Sequence, residues 1–252
     1  MIEITNLGKS YGDKLALKDL NLSLKQGEVF AFLGPNGAGK TTTIKILTGL
    51  VRPSTGQALI GGHDIVQEPL AAKALMSYVP DEPYLYEKLT AREFLNLIGD
   101  LYGLERGLRE ERLNEMVKTF ELEKFLDDLC ESFSHGMKQR VVLAGALLHQ
   151  PKVLILDEPM VGLDPKSMRN LKTLIRKMAT EEGLTVFMST HTLSIAEEVA
   201  DRIGILSQGS LVALGTFKEL LDKQHALGEN HDFQRLEDLF LDLTGDGKST
   251  AI

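Results

Sequence analysis

The residues best suited to chemistry form a glycine-rich segment that ends in lysine and threonine. The segment consists of Gly34, Pro35, Asn36, Gly37, Ala38, Gly39, Lys40, Thr41 and Thr42, and it matches the spacing G-x-x-x-x-G-K-[ST] of a phosphate-binding P-loop. Glycines let backbone N–H groups approach phosphate oxygens, because a Cβ atom would block that approach. Lys40 is placed to reach the β- and γ-phosphates, and the Thr41 hydroxyl to ligate Mg²⁺. This segment therefore predicts a site for a nucleotide with Mg²⁺.

Two adjacent carboxylates follow an apolar run in the second half of the chain. Residues 153–156 have the length and composition of a buried strand, and Asp157 and Glu158 come directly after it. Ligands bind at the carboxyl edge of parallel strands in α/β proteins. Asp157 is thus predicted to hold Mg²⁺ through water, and Glu158 to act as a general base or to orient water for hydrolysis. The alternative, a solvated loop end, is disfavoured by the P-loop in the same chain.

Three other candidates stand at the ends of predicted elements. His191 follows the apolar strand 184–188, where it would hydrogen-bond a γ-phosphate, although a lone histidine is usually structural. Ser134 begins a long helix with Gly136 in its first turn, which is either a second anion site or a plain N-cap. Tyr11 lies upstream of the P-loop and is placed to stack on a purine, although ordinary packing is the commoner role of such a tyrosine.

The elements that must position these residues alternate between strand and helix. The P-loop lies between the apolar strand 29–33 and a helix that ends near Gly49, and short alternating strands precede it. From about residue 88 to 134 the pattern is helical only. It contains a capping box at Thr90–Glu93, a helix from about Arg109 to Phe120 and a shorter helix near Lys124 to Leu129. We expect an α/β core interrupted by a helical insert.

Bulk properties limit the class of protein. The chain has 252 residues with 43% hydrophobic residues, and its net charge of −8 disfavours a nucleic-acid partner. Its single cysteine excludes an internal disulfide and suits a reducing compartment. No signal-peptide pattern is evident, and no uncharged apolar run approaches the roughly 20 residues that span a bilayer. We therefore expect a cytoplasmic protein that reaches a membrane only through a partner.

The order of these motifs resembles the nucleotide-binding subunit of an ATP-binding cassette (ABC) transporter. The resemblance extends from Tyr11 to about Leu243, and the run 236–244 is similar to the tail of the exporter-type branch. The matching segments are Tyr11 for the adenine-stacking loop, Gly34 to Thr42 for Walker A, Asp81 for the Q-loop, Phe133 to Met137 for the signature, Leu154 to Glu158 for Walker B with the catalytic glutamate, Gly162 to Pro165 for the D-loop, and His191 for the switch histidine.

This resemblance implies a P-loop NTPase fold of the α/β class, with a RecA-like, mainly parallel sheet, an N-terminal antiparallel β subdomain and a helical insert. It implies an ATPase domain over 1–220, with the insert at about 88–150, and a C-terminal helical tail over 221–252. ATP would lie between the P-loop of one subunit and the signature of a second, identical or different, subunit. Ser134, His135, Gly136 and Met137 would then act in trans, and Asp81 would join Thr41 and Asp157 around Mg²⁺.

The same resemblance implies partners and a location. Integral-membrane permease subunits would dock near residues 81–86 and the helical insert, which would place the chain on the inner face of the cell membrane. Three residues depart from the family pattern: Asp81 stands in place of a glutamine, His135 in place of the first signature glycine, and Met137 in place of a polar glutamine. Because Ser134, Gly136 and Glu158 are retained, we still expect hydrolysis, at a reduced rate.

Other classes fit less well. Soluble cassettes of translation or DNA repair resemble tandem cassettes or carry long coiled-coil insertions, whereas this chain shows one cassette with a short insert. A GTPase or small-molecule kinase leaves Ser134, His191 and the paired carboxylates unexplained, and the guanine-reading N-K-x-D motif is absent. A regulatory cassette that binds ATP without hydrolysing it remains an alternative because the signature is altered.

Overall fold

The computed structural model describes residues 1–226 and 236–245 and contains two sheets with flanking helices. The strands are β1 (Ile2–Tyr11), β2 (Lys14–Leu24), β3 (Val29–Leu33), β4 (Thr55–Ile60), β5 (His63–Asp64), β6 (Met76–Val79), β7 (Val153–Asp157), β8 (Thr185–Ser189), β9 (Arg202–Ser207) and β10 (Ser210–Gly215). The helices are α1 (Lys40–Leu47), α2 (Pro69–Ala74), α3 (Ala91–Leu101), α4 (Arg106–Thr119), α5 (His135–Leu147), α6 (Pro165–Glu182), α7 (Leu193–Val199), α8 (Phe217–Ala226) and α9 (Leu236–Thr244).

The larger sheet is mainly parallel, as predicted. Its strand order is β10-β9-β3-β8-β7-β6, and every strand runs parallel to its neighbours except β10, which forms an antiparallel hairpin with β9. Strands β3, β7 and β8 are buried along their whole length, which explains their uninterrupted apolar sequences. The strand before the P-loop is therefore separated by one strand from the strand that carries Asp157.

The smaller sheet is the predicted N-terminal antiparallel subdomain. Its order is β2-β1-β4-β5, and β1 pairs antiparallel with both β2 and β4. One face of the larger sheet packs against it: Phe30, Phe32 and Phe187 belong to the same core cluster as Leu7 and Leu24. The alternate residues of β3, including Ala31 and Leu33, belong to a second cluster with the helices. Because successive side chains of a strand point to opposite faces, β3 contributes residues to both hydrophobic cores.

The helical insert is present, with one error in its prediction. The capping box at Thr90 forms: its hydroxyl accepts from the Glu93 backbone, and the Glu93 side chain accepts from the Thr90 backbone. The segment Lys124–Leu129 is not a helix but a series of turns, followed by a 3₁₀ turn at Cys130–Ser132. A helix would pair the Cys130 N–H with the Leu126 carbonyl. Instead, Arg92 donates to Leu126 at 2.9 Å, and Cys130 donates to Leu89 at 2.9 Å.

The C-terminal tail contains two helices in the described residues. Leu236 and Leu239 of α9 are buried, and the Leu236 N–H donates to Glu197 of α7 at 2.9 Å. The tail therefore packs on its own chain. The predicted polar segment 222–235 and frayed end 244–252 fall largely outside the described residues. Across the residues that are described, the helices are too short or too polar to cross a bilayer.

Candidate functional site

The P-loop leaves β3 after Leu33 and becomes helical at Lys40, so Lys40, Thr41 and Thr42 form the first turn of α1. Gly37 and Gly39 have φ values of 80° and 116°, which other residues rarely adopt. A Cβ on Gly39 would lie 2.7 Å from the Ala16 carbonyl oxygen, whereas a Cβ on Gly37 would meet no atom within 4 Å. The loop thus packs tightly against β2 on one side and is open on the other, where its N–H groups and the start of α1 favour an anion.

The side chain of Lys40 crosses the inside of the P-loop. Its Nζ donates to the carbonyl oxygens of Gly34 at 2.6 Å and Pro35 at 3.2 Å, and the side chain is buried. Burial lowers the pKa of Lys40, while the nearby charges of Glu158 and Asp157 raise it in part. The P-loop lysine and the paired carboxylates therefore lie close enough to interact electrostatically.

Asp157 is fixed by the neighbouring strand. It pairs with Ser189 between β7 and β8, and the Ser189 hydroxyl donates to its Oδ1 at 2.5 Å. Burial raises the pKa of Asp157, and the bond from Ser189 opposes that rise. Sequence reasoning did not assign Ser189 a role. The signal available was a hydroxyl at the end of the strand adjacent to the carboxylates.

Glu158 begins a tight turn and faces His191. Its backbone has φ 48°, its N–H donates to the Ser189 carbonyl at 3.2 Å, and the Val161 N–H donates back to the Glu158 carbonyl at 3.2 Å. The Glu158 Oε2 atom lies 2.9 Å from Nδ1 of His191 and accepts from the His191 backbone at 3.3 Å. Two residues predicted separately from the ends of β7 and β8 are therefore in direct contact.

Asp81 lies in an open cleft beside this centre. Its side chain is exposed and accepts from the Glu82 N–H at 2.9 Å, and the cleft is also lined by Glu158, His135 and Lys138. Burial, followed by the charges of Asp157 and Asp81, raises the pKa of Tyr78 to about 12. The charge of Asp81 thus acts on Tyr78, at the carboxyl edge of the larger sheet.

Tyr11 stands at the far end of β1. It is 47% exposed, and the Lys9 ammonium lies 5.0 Å from its ring centroid. Its partner strand β2 contacts the P-loop through Ala16 and Leu17. Within residues 1–226 and 236–245, no hydrogen bond or ring contact joins Tyr11 to the P-loop itself. The ring therefore offers an open aromatic face on the sheet that packs beside the loop.

The signature segment forms the start of α5. The Ser134 hydroxyl accepts from the Met137 N–H at 3.3 Å, and a Cβ on Gly136 would meet no atom within 4 Å. Met137 is half-buried and packs against the helical core. The imidazole of His135 contacts the Val161 carbonyl oxygen at 3.2 Å. Among the described residues, no hydrogen bond links Ser134 to the P-loop of its own chain.

Gln139 was missed by sequence reasoning. It lies on α5, is 2% exposed, and donates to the Pro159 carbonyl at 3.4 Å. It therefore ties the signature helix to the residue that follows Glu158. Its sequence signal was weak, because a glutamine at a buried helical position has no recognisable spacing.

The geometry brings together a P-loop, a buried aspartate, a glutamate–histidine pair and an exposed helix cap. The family model described as ABC transporter matches residues 17–161. The chain belongs to the ABC transporter family. Within that family it is an ATP-binding subunit with ATPase activity.

Two curated relatives illustrate the similarity. The linearmycin resistance ATP-binding protein LnrL of Bacillus subtilis is 41% identical over 223 residues, which cover 88% of this chain and 71% of that protein. The bacitracin transport ATP-binding protein BcrA of Bacillus licheniformis is 39% identical over 212 residues, which cover 84% of this chain and 68% of that protein. Both are named as ATP-binding proteins, and the name of BcrA assigns it to transport, which supports the transport interpretation over the regulatory and soluble alternatives.

Two solved structures share the fold. The ATP-binding subunit of an ABC transporter has a TM-score of 0.89 and 34% identity, and the alignment covers 97% of this chain and 99% of that one. A dimeric ATP-binding cassette in a post-hydrolysis state, bound to ADP and Pi, has a TM-score of 0.79 and 29% identity, with 86% and 98% covered. One cassette of this fold therefore forms a dimer that binds ADP and Pi.

Proposed function

We propose that this chain forms one half of an ATP-hydrolysis site, that a second cassette completes the site, and that the dimer powers transport through membrane permease subunits. The observation that carries the proposal is the convergence of Lys40 with Asp157 and Glu158 at the carboxyl edge of the parallel sheet. A positive group for phosphate, an acidic group for a cation and a base for water are the parts that phosphoanhydride hydrolysis needs.

The nucleotide would bind along the open side of the P-loop, with Gly34 to Thr42 around its phosphates and Tyr11 against its base. The donor set fits Mg²⁺, because the Thr41 hydroxyl and the carboxylates of Asp157 and Asp81 are the oxygen ligands that this ion prefers. Bound Mg²⁺ supplies positive charge that neutralises the β- and γ-phosphates. Ser189 would keep one Asp157 oxygen occupied and so orient the other towards the site.

Glu158 would accept the proton of the attacking water. Its Oε2 is held by both the backbone N–H and the ring of His191, which would fix the direction of the carboxylate before nucleotide arrives. His191 donates through Nδ1 to Glu158, which leaves its other ring nitrogen to face the γ-phosphate. This preorganisation avoids reorienting the base during the reaction.

The second half of the site would come from Ser134, His135, Gly136 and Met137 of another subunit, either identical or related. Ser134 and Gly136 are accessible at an uncovered helix N-terminus, which is suited to an anion. A dimeric relative with bound ADP and Pi supports such an arrangement. We assign residues 1–220 to the ATPase domain, with the helical insert at 88–150, and residues 221–252 to a C-terminal tail.

The permease would dock on the surface around residues 81–86. Tyr84 and Tyr86 are 73% and 52% exposed there, and their rings meet edge to face at a centroid distance of 5.9 Å. Exposed aromatic pairs are typical of protein interfaces. Docking would hold the chain on the cytoplasmic face of the cell membrane. The SkfA peptide export ATP-binding protein SkfE of Bacillus subtilis, which is 40% identical over 84% of this chain, supports export as the direction.

Purification of the tagged chain from membranes of its native cell tests this function. We expect an integral-membrane protein to co-purify and the preparation to hydrolyse ATP with Mg²⁺. Replacing Tyr84 and Tyr86 by serine should release the membrane protein while ATPase activity remains. Leu70→Ser, at an apolar residue that is 84% exposed on α2, is the matched control and should retain the partner. An ATPase that recovers no membrane protein under any of these conditions contradicts the transport role.

A further inference from the structure

The imidazole of His135 lies against the backbone of its own chain. Its Nε2 is 3.2 Å from the Val161 carbonyl oxygen, a distance at which an imidazole N–H donates a hydrogen bond. The ring also covers Gly162, where an added Cβ would stand 2.8 Å from Cδ2 of His135. The contact therefore depends on the absence of a side chain at residue 162, whose φ of 75° independently favours glycine.

The backbone that His135 contacts is the turn that begins at Glu158. The Val161 N–H donates to the Glu158 carbonyl at 3.2 Å, so residues 158–161 form one hydrogen-bonded unit. Glu158 itself has φ 48°, a conformation that a non-glycine residue holds only when its surroundings fix it. Helix α5 fixes this turn at two points, through Gln139 on the Pro159 carbonyl and through His135 on the Val161 carbonyl.

We propose that His135 acts in cis as a positioning residue, whose Nε2–H holds the Val161 carbonyl and thereby the turn that aims Glu158. This inference rests on the proposed function, in which Glu158 is the base. For residue 135 alone, it replaces the role in trans, in which this side chain would face the phosphate of the partner's nucleotide. A glycine at this position would leave the Val161 carbonyl without its side-chain donor.

Three substitutions separate the hydrogen bond from ring packing. His135→Phe keeps a ring without a donor, His135→Gln keeps a donor without a ring, and His135→Ala removes both. Because one hydrogen bond is at stake, we expect Phe and Ala to lower kcat about threefold to tenfold with little change in KM for ATP. Gln should restore most of the loss. If Phe matches the wild type, or if KM rises with kcat unchanged, the positioning role is wrong.

Mixed dimers decide between action in cis and in trans. Two differently tagged copies, one of which carries Glu158→Gln, are co-expressed and isolated by both tags, so that only the site with the remaining Glu158 hydrolyses ATP. His135→Phe is then placed either on the copy that retains Glu158 or on the Glu158→Gln copy. Action in cis predicts the threefold to tenfold loss only in the first arrangement. A loss only in the second means that His135 acts on the partner's nucleotide and overturns the proposal.

The failure of the proposed function is distinguishable from the failure of this inference. The reference is the mixed dimer that carries Glu158→Gln on one copy and His135 on both copies. If this reference dimer has no Mg²⁺-dependent ATPase activity, the proposed function fails. If that dimer is active and both mixed arrangements equal it, only the role of His135 is wrong. Circular dichroism of each variant excludes unfolding, which we do not expect because His135 is exposed.

Discussion

Glu158 is held in place by its neighbours rather than by its own backbone preference. It adopts φ 48°, and its surroundings include the Ser189 carbonyl, the His191 ring and the turn to Val161. Left-handed backbone at a non-glycine residue costs of the order of 1–3 kcal/mol and clusters at functional sites. The conformation that fixes the direction of the Glu158 carboxylate therefore costs part of the stability of the fold.

Replacing this carboxylate by an amide should separate binding from hydrolysis. Glu158→Gln keeps the side-chain size and most hydrogen-bonding capacity but cannot accept a proton from water. We expect ATP turnover to fall by a factor of about 10²–10⁴, while ATP still binds and holds the dimer together. Phosphate release and size-exclusion chromatography with and without ATP measure the two effects. The matched control is Glu237→Gln, at an exposed carboxylate of α9, which should behave as the wild type. Normal turnover by Glu158→Gln would remove the residue from the base role.

The residues of the site divide into those that spacing predicts and those that it does not. Lys40 and the paired carboxylates could be found because the chain itself sets their spacing and their place after apolar strands. The bonds from Ser189 to Asp157 and from His191 to Glu158 could not, because they join strands that become neighbours only when the sheet forms. The direction of the His135 ring was also missed, since it depends on a carbonyl that lies 26 residues away.

At the scale of elements, α3 begins at a complete capping box. Thr90 satisfies the Glu93 N–H, and Glu93 satisfies the Thr90 N–H. Thr90→Ala should lower the free energy of unfolding by about 1 kcal/mol, since an N–H at the helix start loses its partner. Urea titration followed by circular dichroism measures this. Thr192→Ala is the control, because Thr192 stands at the N-cap of α7 without a side-chain cap bond and should change stability much less. Equal losses in both variants would mean that the box contributes nothing specific.

The junction between α3, α5 and β6 contains a histidine whose ring nitrogens are buried. The ring of His149 stacks on Tyr102 at a centroid distance of 3.5 Å. Burial lowers the pKa of His149 to about 4. The imidazole is therefore neutral in the folded chain at pH 7 and opposes protonation as the pH falls.

This junction predicts a pH dependence of stability. The unfolded chain binds the proton near pH 6.5, whereas the folded chain binds it only near pH 4, so stability is lost as the pH falls between those values. Between pH 7 and pH 5, the wild type should lose about 1 kcal/mol more than His149→Phe, a figure reduced for the partial exposure of the ring. Urea titrations at both pH values provide the measurement. His63→Gln, at a partly exposed histidine that lies 3.1 Å from Glu68, is the control and should keep the extra loss that His149 causes.

Helices and strands were predicted correctly where the sequence pattern decides the structure. The prediction was wrong where hydrogen bonds to a distant segment decide it. Strands β3 and β7 are buried on both faces, so their apolar runs identified them. Residues 124–129 carry an apolar pattern that resembles a helix, but the Leu126 carbonyl bonds to Arg92 in the first turn of α3 and the Cys130 N–H bonds to Leu89 just before that helix. The local sequence pattern does not reveal these hydrogen bonds, because the groups that replace the helical partners come from a distant part of the chain.

At the scale of the whole molecule, the proposed function gives the chain two half-sites, one at the carboxyl edge of the larger sheet and one at the start of α5. Lys40, Asp157 and Glu158 converge at the sheet edge, whereas Ser134 is exposed at the start of a helix that leaves the insert. In a head-to-tail dimer each half-site pairs with the other half of the partner, and two-fold symmetry makes two equal sites. The geometry therefore favours a dimer in which each chain serves both sites.

Complementation between two inactive variants tests this arrangement directly. Lys40→Ala disables the nucleotide half and Ser134→Ala the signature half, so each homodimer contains no intact site and should lose most of its activity. In a mixed dimer, the P-loop of the Ser134→Ala chain meets the signature of the Lys40→Ala chain, which rebuilds one site. Random mixing should then restore about a quarter of wild-type ATPase activity.

The control for that experiment mixes Lys40→Ala with Glu158→Gln, which disable the same half of the site. No pairing of these chains contains an intact site, because each P-loop is accompanied by a defect in its own chain. Activity should remain at the level of the separate variants. If the first mixture also stays inactive while each variant still folds and dimerises, Ser134 does not act in trans. If the second mixture recovers activity, Lys40 and Glu158 do not serve the same nucleotide, which would require a different assignment of the sheet edge.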